Sequence, residues 1–256
     1  ISMYDELSFD LDNQLSVYSN NPRLDNQENV IFKAATLLKS ATGYPGGAKI
    51  YLQKHIPMDS GLGGGSTDAA STLLTLSELW GVSLGTEELL NLAIRIGSDV
   101  PFFLSGGTAM VSGTGDRICG IDKTPNMNVV ILTTSTNIEN KTATMYRHIN
   151  PDAYTDGTIS EKLMHSLLTE ESMSEDLIHN AFSEVAVRMV PNLRTQRQAL
   201  IDAGANNVHL TGSGPSLYSV TSSSEEAQLI AGNLKVLGQA NLDHIGQRQL
   251  VFHQYL

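Results

Sequence analysis

Four glycines in five positions, Gly61, Gly63, Gly64 and Gly65 around Leu62, mark the segment of this chain best suited to chemistry. They lie in Pro57-Met58-Asp59-Ser60-Gly61-Leu62-Gly63-Gly64-Gly65-Ser66-Thr67-Asp68. A backbone without Cβ atoms takes positive φ easily and can bring successive N–H groups close to an anion. The segment follows an alternating run, Ala48, Ile50 and Leu52 against Lys49, Tyr51 and Gln53, which reads as a half-buried strand. It precedes a helical pattern from Ser66 to Trp80, with Ala69, Ala70, Leu73, Leu74, Leu76 and Trp80 on one stripe. The N–H groups and dipole of such a helix start also attract phosphate. Ser66 and Thr67 add hydroxyls within reach of a magnesium ion. The alternative is a tight turn ending at an ordinary helix cap, but strand, glycine loop and amphipathic helix in that order favour phosphate. No Gly-Lys-Ser/Thr follows at P-loop spacing, and Ser66 stands where a dinucleotide fingerprint needs its third glycine.

Two further segments carry candidate chemistry. Asp99 sits between a helical pattern and the apolar run Val100 to Leu104, where partial burial could tune a general base. From spacing alone, a cap or a salt-bridge partner is the simpler reading of this carboxylate. Thr211-Gly212-Ser213-Gly214 lies between two strand patterns and reads equally as a β-turn or a second anion loop. The seven histidines show no metal-ligand spacing, and no Gly-x-Ser-x-Gly elbow supports a hydrolase.

The elements that must position these segments differ between the two halves. Strands are expected over Leu7–Asp12, Leu15–Ser19, Thr108–Val111 and Asn128–Thr134. Helices are expected from an Asp25 cap to Leu38 and from a Thr86 cap to Ile96, with Val100–Leu104 extended. Later, helical patterns cover Ile159–Thr169, Ser174–Val190, Pro191–Ala203 and Ser223–Leu237. Strands are expected at Val208–Thr211, Ser216–Thr221 and Leu242–Gly246.

The totals narrow the function further. A length of 256 residues, 41% hydrophobic and 17% charged, suits one large or two ordinary soluble domains. A net charge of −11 argues against a non-specific nucleic-acid binder and against anchoring on anionic lipid. No apolar run has the length of a membrane span. The single cysteine, Cys119, excludes an intrachain disulfide and suits a reducing cytoplasm.

The glycine segment resembles the signature of the GHMP kinases, Pro-x-x-x-Gly-Leu-Gly-Ser/Gly-Ser opening a helix. This family includes galactokinase and the homoserine, mevalonate and phosphomevalonate kinases. Three more segments resemble it in family order: Glu28-Asn29-Val30 through Lys33-Ala34-Ala35, Gly97-Ser98-Asp99-Val100-Pro101-Phe102-Phe103, and Leu210-Thr211-Gly212-Ser213-Gly214. The triple glycine followed by Ser66-Thr67-Asp68-Ala69-Ala70 is most similar to the branch that uses a cytidine diphosphate-linked methylerythritol.

The resemblance implies an α+β fold, the two-domain GHMP kinase fold with the ATP site between the domains. Residues 1–140 would form the N-terminal ATP-binding domain and residues 141–256 the C-terminal α+β domain. It implies ATP on Pro57, Met58, Gly61, Leu62, Gly63, Gly64, Gly65, Ser66 and Thr67, with Lys54 and Asn29 lining the nucleotide pocket. Ser66 would meet Mg2+. Asp99 would be the general base, with Thr142, Thr211, Gly212, Ser213 and Gly214 on the acceptor side. The reaction implied is ATP-dependent phosphorylation of the acceptor's 2-hydroxyl, in the non-mevalonate route to isoprenoid precursors. The expected setting is the cytoplasm, as monomer or homodimer, with no nucleic-acid or membrane partner. Rival readings are a homoserine or mevalonate type of GHMP kinase, or a catalytically silent nucleotide-binding fragment.

The chain also departs from the family pattern. The family begins with a Pro-x-Lys-x-Asn strand, whose lysine is thought to assist transfer, and a Gly-Tyr-His that holds cytidine. Ile1-Ser2-Met3-Tyr4-Asp5 matches a family segment just after these elements. The expectation is therefore a chain that starts upstream in nature, lacks one strand of its first sheet as given, and has its own activity in question. Asp59 and Ser60 replace small residues, which puts a negative charge near the expected phosphates.

Overall fold

The computed structural model describes residues 1–121, 127–134, 136, 138–169, 174–236 and 245–247. Alternating apolar residues form the first sheet: β1 (Glu6–Asp12), β2 (Ser16–Ser19) and β3 (Gly47–Gln53), in the order β1-β3-β2. β1 and β3 are antiparallel, with Phe9 opposite Ile50, while β2 and β3 are parallel. A parallel pair needs a crossover, and α1 (Val30–Thr42) supplies it. Asn29, not Asp25, caps α1: its Oδ1 accepts from Ile31 N at 2.9 Å. Asp25 instead ends a short 3-10 turn, Pro22–Leu24. The helix runs past Leu38 until Gly43, at φ 69, closes it.

α1 buries Ile31, Ala34, Ala35 and Leu38 in one core with Ala69, Ala70, Leu73 and Leu76 of α2 (Gly64–Leu79). Leu74, expected on the buried stripe, is 42% exposed. It sits about 100° around the helix from Leu73 and points outward. α3 (Thr86–Ile96) starts after Gly85, whose N–H donates to Glu88 Oε2 at 2.8 Å, so Thr86 is not the cap. Val100 to Leu104 is helical rather than extended. α4 (Val100–Ser105) accommodates Pro101 in its first turn, where a missing N–H costs nothing. β4 (Thr108–Ser112) and β5 (Arg117–Ile121) then form a hairpin; β5 had no sequence signal.

The second sheet has the order β7-β8-β6-β9, all antiparallel: β6 (Asn128–Leu132), β7 (His209–Leu210), β8 (Leu217–Thr221) and β9 (Ile245–Gln247). Residues 242–244 of the last expected strand lie outside the described residues. The sheet shares its core with α5 (Lys141–Arg147), α7 (Ser183–Met189), α8 (Leu193–Asp202) and α9 (Ser224–Val236), and α6 spans Thr158–Thr169. Val130, Leu132, Met145, Val185, Leu200, Ile230 and Leu234 form this second core. β6 precedes the division expected at residue 140, yet its strand partners and its core lie here. The helix expected over Ser174–Val190 is broken. A 3-10 turn covers Glu175–Leu177, and Asn180 Oδ1 turns back to accept from Phe182 N ahead of α7. Helices packed on one mixed and one antiparallel sheet make the architecture α+β, as expected.

A buried charge cluster ties the first sheet to α2. Lys54 Nζ, just past β3, donates to Asp5 Oδ2 and to Asp68 Oδ2, the latter at 2.9 Å. Asp5 Oδ1 also accepts from His55 N and Ile56 N, at 2.7 and 2.8 Å. The three side chains are 8% (Lys54), 2% (Asp5) and 5% (Asp68) exposed. One ammonium serves two carboxylates, so burial wins over attraction at Asp68 and pushes its carboxyl up to about 6.

Lys54→Met should lower stability by about 3–5 kcal/mol, read from urea midpoints, because it strands buried carboxylates. Lys49→Met, at the partly exposed Lys49–Asp12 pair, should change it little. A carboxyl whose folded value is raised stabilises the fold while protonated, and that contribution is lost as pH rises through about 6. Asp68→Asn should therefore gain stability relative to the natural chain between about pH 4 and about pH 7; a constant difference would show that Asp68 does not titrate there.

Candidate active site

The glycine loop is shaped by contacts that exclude side chains. Gly61 and Gly63 have φ of 79 and 73, a region that favours glycine. A Cβ on Gly61 would lie 2.5 Å from Thr211 O and 2.7 Å from Gly214 O. One on Gly63 would lie 2.8 Å from the Phe103 ring, and one on Gly64 2.9 Å from Lys54 Nζ. Gly63 is the N-cap of α2, so the first turn of that helix is Gly64, Gly65, Ser66 and Thr67. Its leading N–H groups have no partner within the helix. A bare loop opening a helix of 16 residues is a fit cradle for phosphate oxygens.

The second loop, Thr211 to Gly214, lies directly on the first. Ser60 O accepts from Ser216 N at 3.2 Å and from Thr211 Oγ1 at 3.4 Å. Leu62 packs on Val129, Ile131 and Tyr218, on the face of β6 and β8 away from the second core. The second loop is braced from outside by Asn180, whose Nδ2 donates to Leu210 O at 3.0 Å and Gly212 O at 2.8 Å. Lys141 Nζ donates to Gly214 O. Thr142 Oγ1 lies 3.3 Å from Ser213 Oγ.

Asp99 stands half-buried at the start of α4. Its carboxylate does not cap that helix; Ser98 Oγ donates to its Oδ1 at 3.4 Å. Phe103, one turn along α4, is the ring that covers Gly63, so α4 couples Asp99 to the glycine loop. On its other side Asp99 faces Tyr146 of α5. Burial pushes the Tyr146 phenol well above its usual range, and the charge of Asp99 adds to this. Tyr146 packs edge-on against Phe182, with centroids 4.8 Å apart.

The expected residues therefore divide. Gly61, Gly63, Gly64, Gly65 and Ser66 line the loop and the helix start; Gly61 meets Thr211, Gly212 and Gly214 of the second loop, and Thr142 lies alongside Ser213. Ser66 Oγ makes no hydrogen bond among the described residues, whereas Thr67 Oγ1 donates to Gly63 O at 3.0 Å. Leu62 serves as an apolar anchor. Met58 is exposed and accepts from Asn21 Nδ2, and Pro57 is exposed beside it. Lys54 and Asn29, expected in the nucleotide pocket, have their polar groups engaged by protein partners, with Lys54 Nζ beside Gly64. Lys54 is held by Asp5 and Asp68, and the Asn29 amide is spent on the α1 cap and on Leu24 O. Sequence reasoning missed Lys141, one residue before a noted threonine, and Asn180, hidden in an apparent helix.

Comparison with known proteins agrees with this geometry. A model described as GHMP kinases N terminal domain matches residues 29–107, and one described as GHMP kinases C terminal matches residues 162–237. A 4-diphosphocytidyl-2-C-methyl-D-erythritol kinase of Dehalococcoides mccartyi is 34% identical over 235 residues, 91% of this chain and 82% of that protein. One of Symbiobacterium thermophilum is 32% identical over 243 residues, 93% and 86% of the two chains. The crystal structure of a 4-(cytidine 5'-diphospho)-2C-methyl-D-erythritol kinase superposes with a TM-score of 0.72 at 29% identity, over 91% of this chain and 82% of that one. A homoserine kinase from Cytophaga hutchinsonii gives 0.74 at 21% identity, over 95% and 84%; a likeness that remote speaks for the fold alone. With both family models in order along it and relatives of this identity over nearly its full length, the chain belongs to the GHMP kinase family, among its 4-diphosphocytidyl-2-C-methyl-D-erythritol kinases.

Proposed function

We propose that this chain transfers the γ-phosphoryl group of ATP to the 2-hydroxyl of 4-diphosphocytidyl-2-C-methyl-D-erythritol, a step of isoprenoid precursor synthesis in the cytoplasm. The observation that carries the reading is the stacking of two glycine loops at the start of α2, with Asp99 coupled to them through Phe103. In this reading the ATP site lies between an N-terminal domain, residues 1–140, and a C-terminal domain, residues 141–256. β6 lends its side chains to the C-terminal core.

Phosphoryl transfer asks a protein mainly for position and charge neutralisation. The N–H groups of Gly61 to Ser66 hold the phosphates, and the α2 dipole favours their charge. The Ser66 hydroxyl would hold Mg2+, which would supply positive charge against the phosphates. Asp99 accepts the proton of the acceptor 2-hydroxyl as that oxygen bonds to the γ-phosphorus. The bond from the γ-phosphorus to the β-bridging oxygen breaks, and ADP leaves. The Thr142–Ser213 pair and the second loop position the acceptor.

A coupled assay for ADP with a panel of acceptors tests the substrate. Turnover of the cytidyl acceptor is expected; turnover of mevalonate or homoserine in its place would overturn the choice. Asp99→Asn should lower kcat by about 10²- to 10⁴-fold with nucleotide affinity retained. An unchanged rate removes Asp99 as the base. Gly61→Ala should raise KM for ATP at least ~10-fold, because the new methyl group meets two backbone carbonyls. Gly81→Ala is the control: φ is 62 there, but nothing lies within 4 Å, so KM for ATP should hold.

A further inference from the structure

We propose that Lys141 is a positioning residue of the phosphoryl-transfer site: it locks the Thr211–Gly214 loop against the Gly61 loop and sets a positive charge behind the phosphates of a bound nucleoside triphosphate. The identity of the ligand rests on the kinase reading above. Lys141 opens α5 and is 5% exposed, an uncommon burial for lysine. Its Nζ donates to Gly214 O, and the same carbonyl lies 2.7 Å from where a Gly61 Cβ would stand. The lysine thus grips the contact between the two loops.

A second lysine whose side chain is buried supplies a comparison. Lys54 is neutralised by two carboxylates, as a structural buried cation requires. Lys141 has one neutral carbonyl as its hydrogen-bond partner among the described residues, although an ammonium carries three donors. The charged group that faces it is Asp59 of the first loop, and no ion pair joins the two among the described residues. Burial lowers the Lys141 pKa to about 8, and the charge of Asp59 opposes that fall. A buried cation left short of anions beside a loop built for phosphate has its missing counter-charge in the nucleotide. Asp59, out of place beside phosphates on its own, then acts as the charge that keeps Lys141 protonated. Its φ of 54 is one that aspartate tolerates better than most side chains.

The test is the affinity for ADP and for a non-hydrolysable ATP analogue, with kcat/KM for ATP, from about pH 6.5 to about pH 9.5. In the natural chain both should fall as pH rises through about 8, where the ammonium loses its proton. Lys141→Met should bind about 10- to 100-fold more weakly at neutral pH and lack that fall. Lys141→Arg should keep most of the affinity and stay flat to the end of the range, because guanidinium remains charged. Asp59→Asn should move the fall to lower pH. Natural affinity and the same pH profile in Lys141→Met overturn the proposal. If that variant does not fold, a fall that persists unchanged in Lys141→Arg overturns it equally. Nucleotide binding with this pH signature but no turnover of the cytidyl acceptor sinks only the acceptor assignment. Normal turnover with a flat profile sinks only the role of Lys141.

Discussion

The close approach of Gly61 to the carbonyls of Thr211 and Gly214 is the constraint on which the site depends. It brings two backbone loops together where the first has no side chain to hold them apart. Carbonyls shielded in this way must find donors, since a buried acceptor left alone costs as much as a lost hydrogen bond. The surrounding residues meet that demand. Ser216 N and the Thr211 hydroxyl serve Ser60 O, the Asn180 amide serves Leu210 O and Gly212 O, and the Lys141 ammonium serves Gly214 O. Each of these donors comes from the second half of the chain. The first loop therefore has its geometry only when the second sheet and its helices are in place.

Charge is distributed with the same economy. The chain carries −11 overall, yet a nucleotide site needs local positive potential. Backbone N–H groups and the dipole of α2 supply it without formal charge. Lys54 is neutralised by Asp5 and Asp68 and holds the strand ends under α2; Lys141 lies at the seam between the loops. The acidic surface and the anion site do not conflict, because charges more than about a Debye length apart, ~10 Å, are largely screened in water.

Much of this was legible from residue order. The glycine loop, the strand before it and the helix after it stand as read, since each rests on a local rule: φ freedom, alternation and a helical stripe. Asn29 shows the limit of such rules. Asp25 and Asn29 both suit a cap, and the choice fell to the residue whose amide could also reach Leu24 O. Val100 to Leu104 shows another. An apolar run without polar punctuation suits a strand or a buried helix, and packing against α2 decided for the helix. β6 carries no mark of which sheet it joins, because Asn128 to Leu132 would fit the interior of either.

The sequence by itself pointed to the kind of chemistry, because a bare backbone at a helix start suits phosphate, and because ordered motifs mark a family. Tertiary structure alone decided which side chains serve that chemistry. Lys54 and Lys141 are each a lysine beside a motif and look alike in one dimension. Their roles diverge because folding brings two carboxylates to the first and a single carbonyl of the opposing loop to the second. Partners separated by 14, 49 and 73 residues set the charge environment of each, and no local pattern encodes which of them will meet.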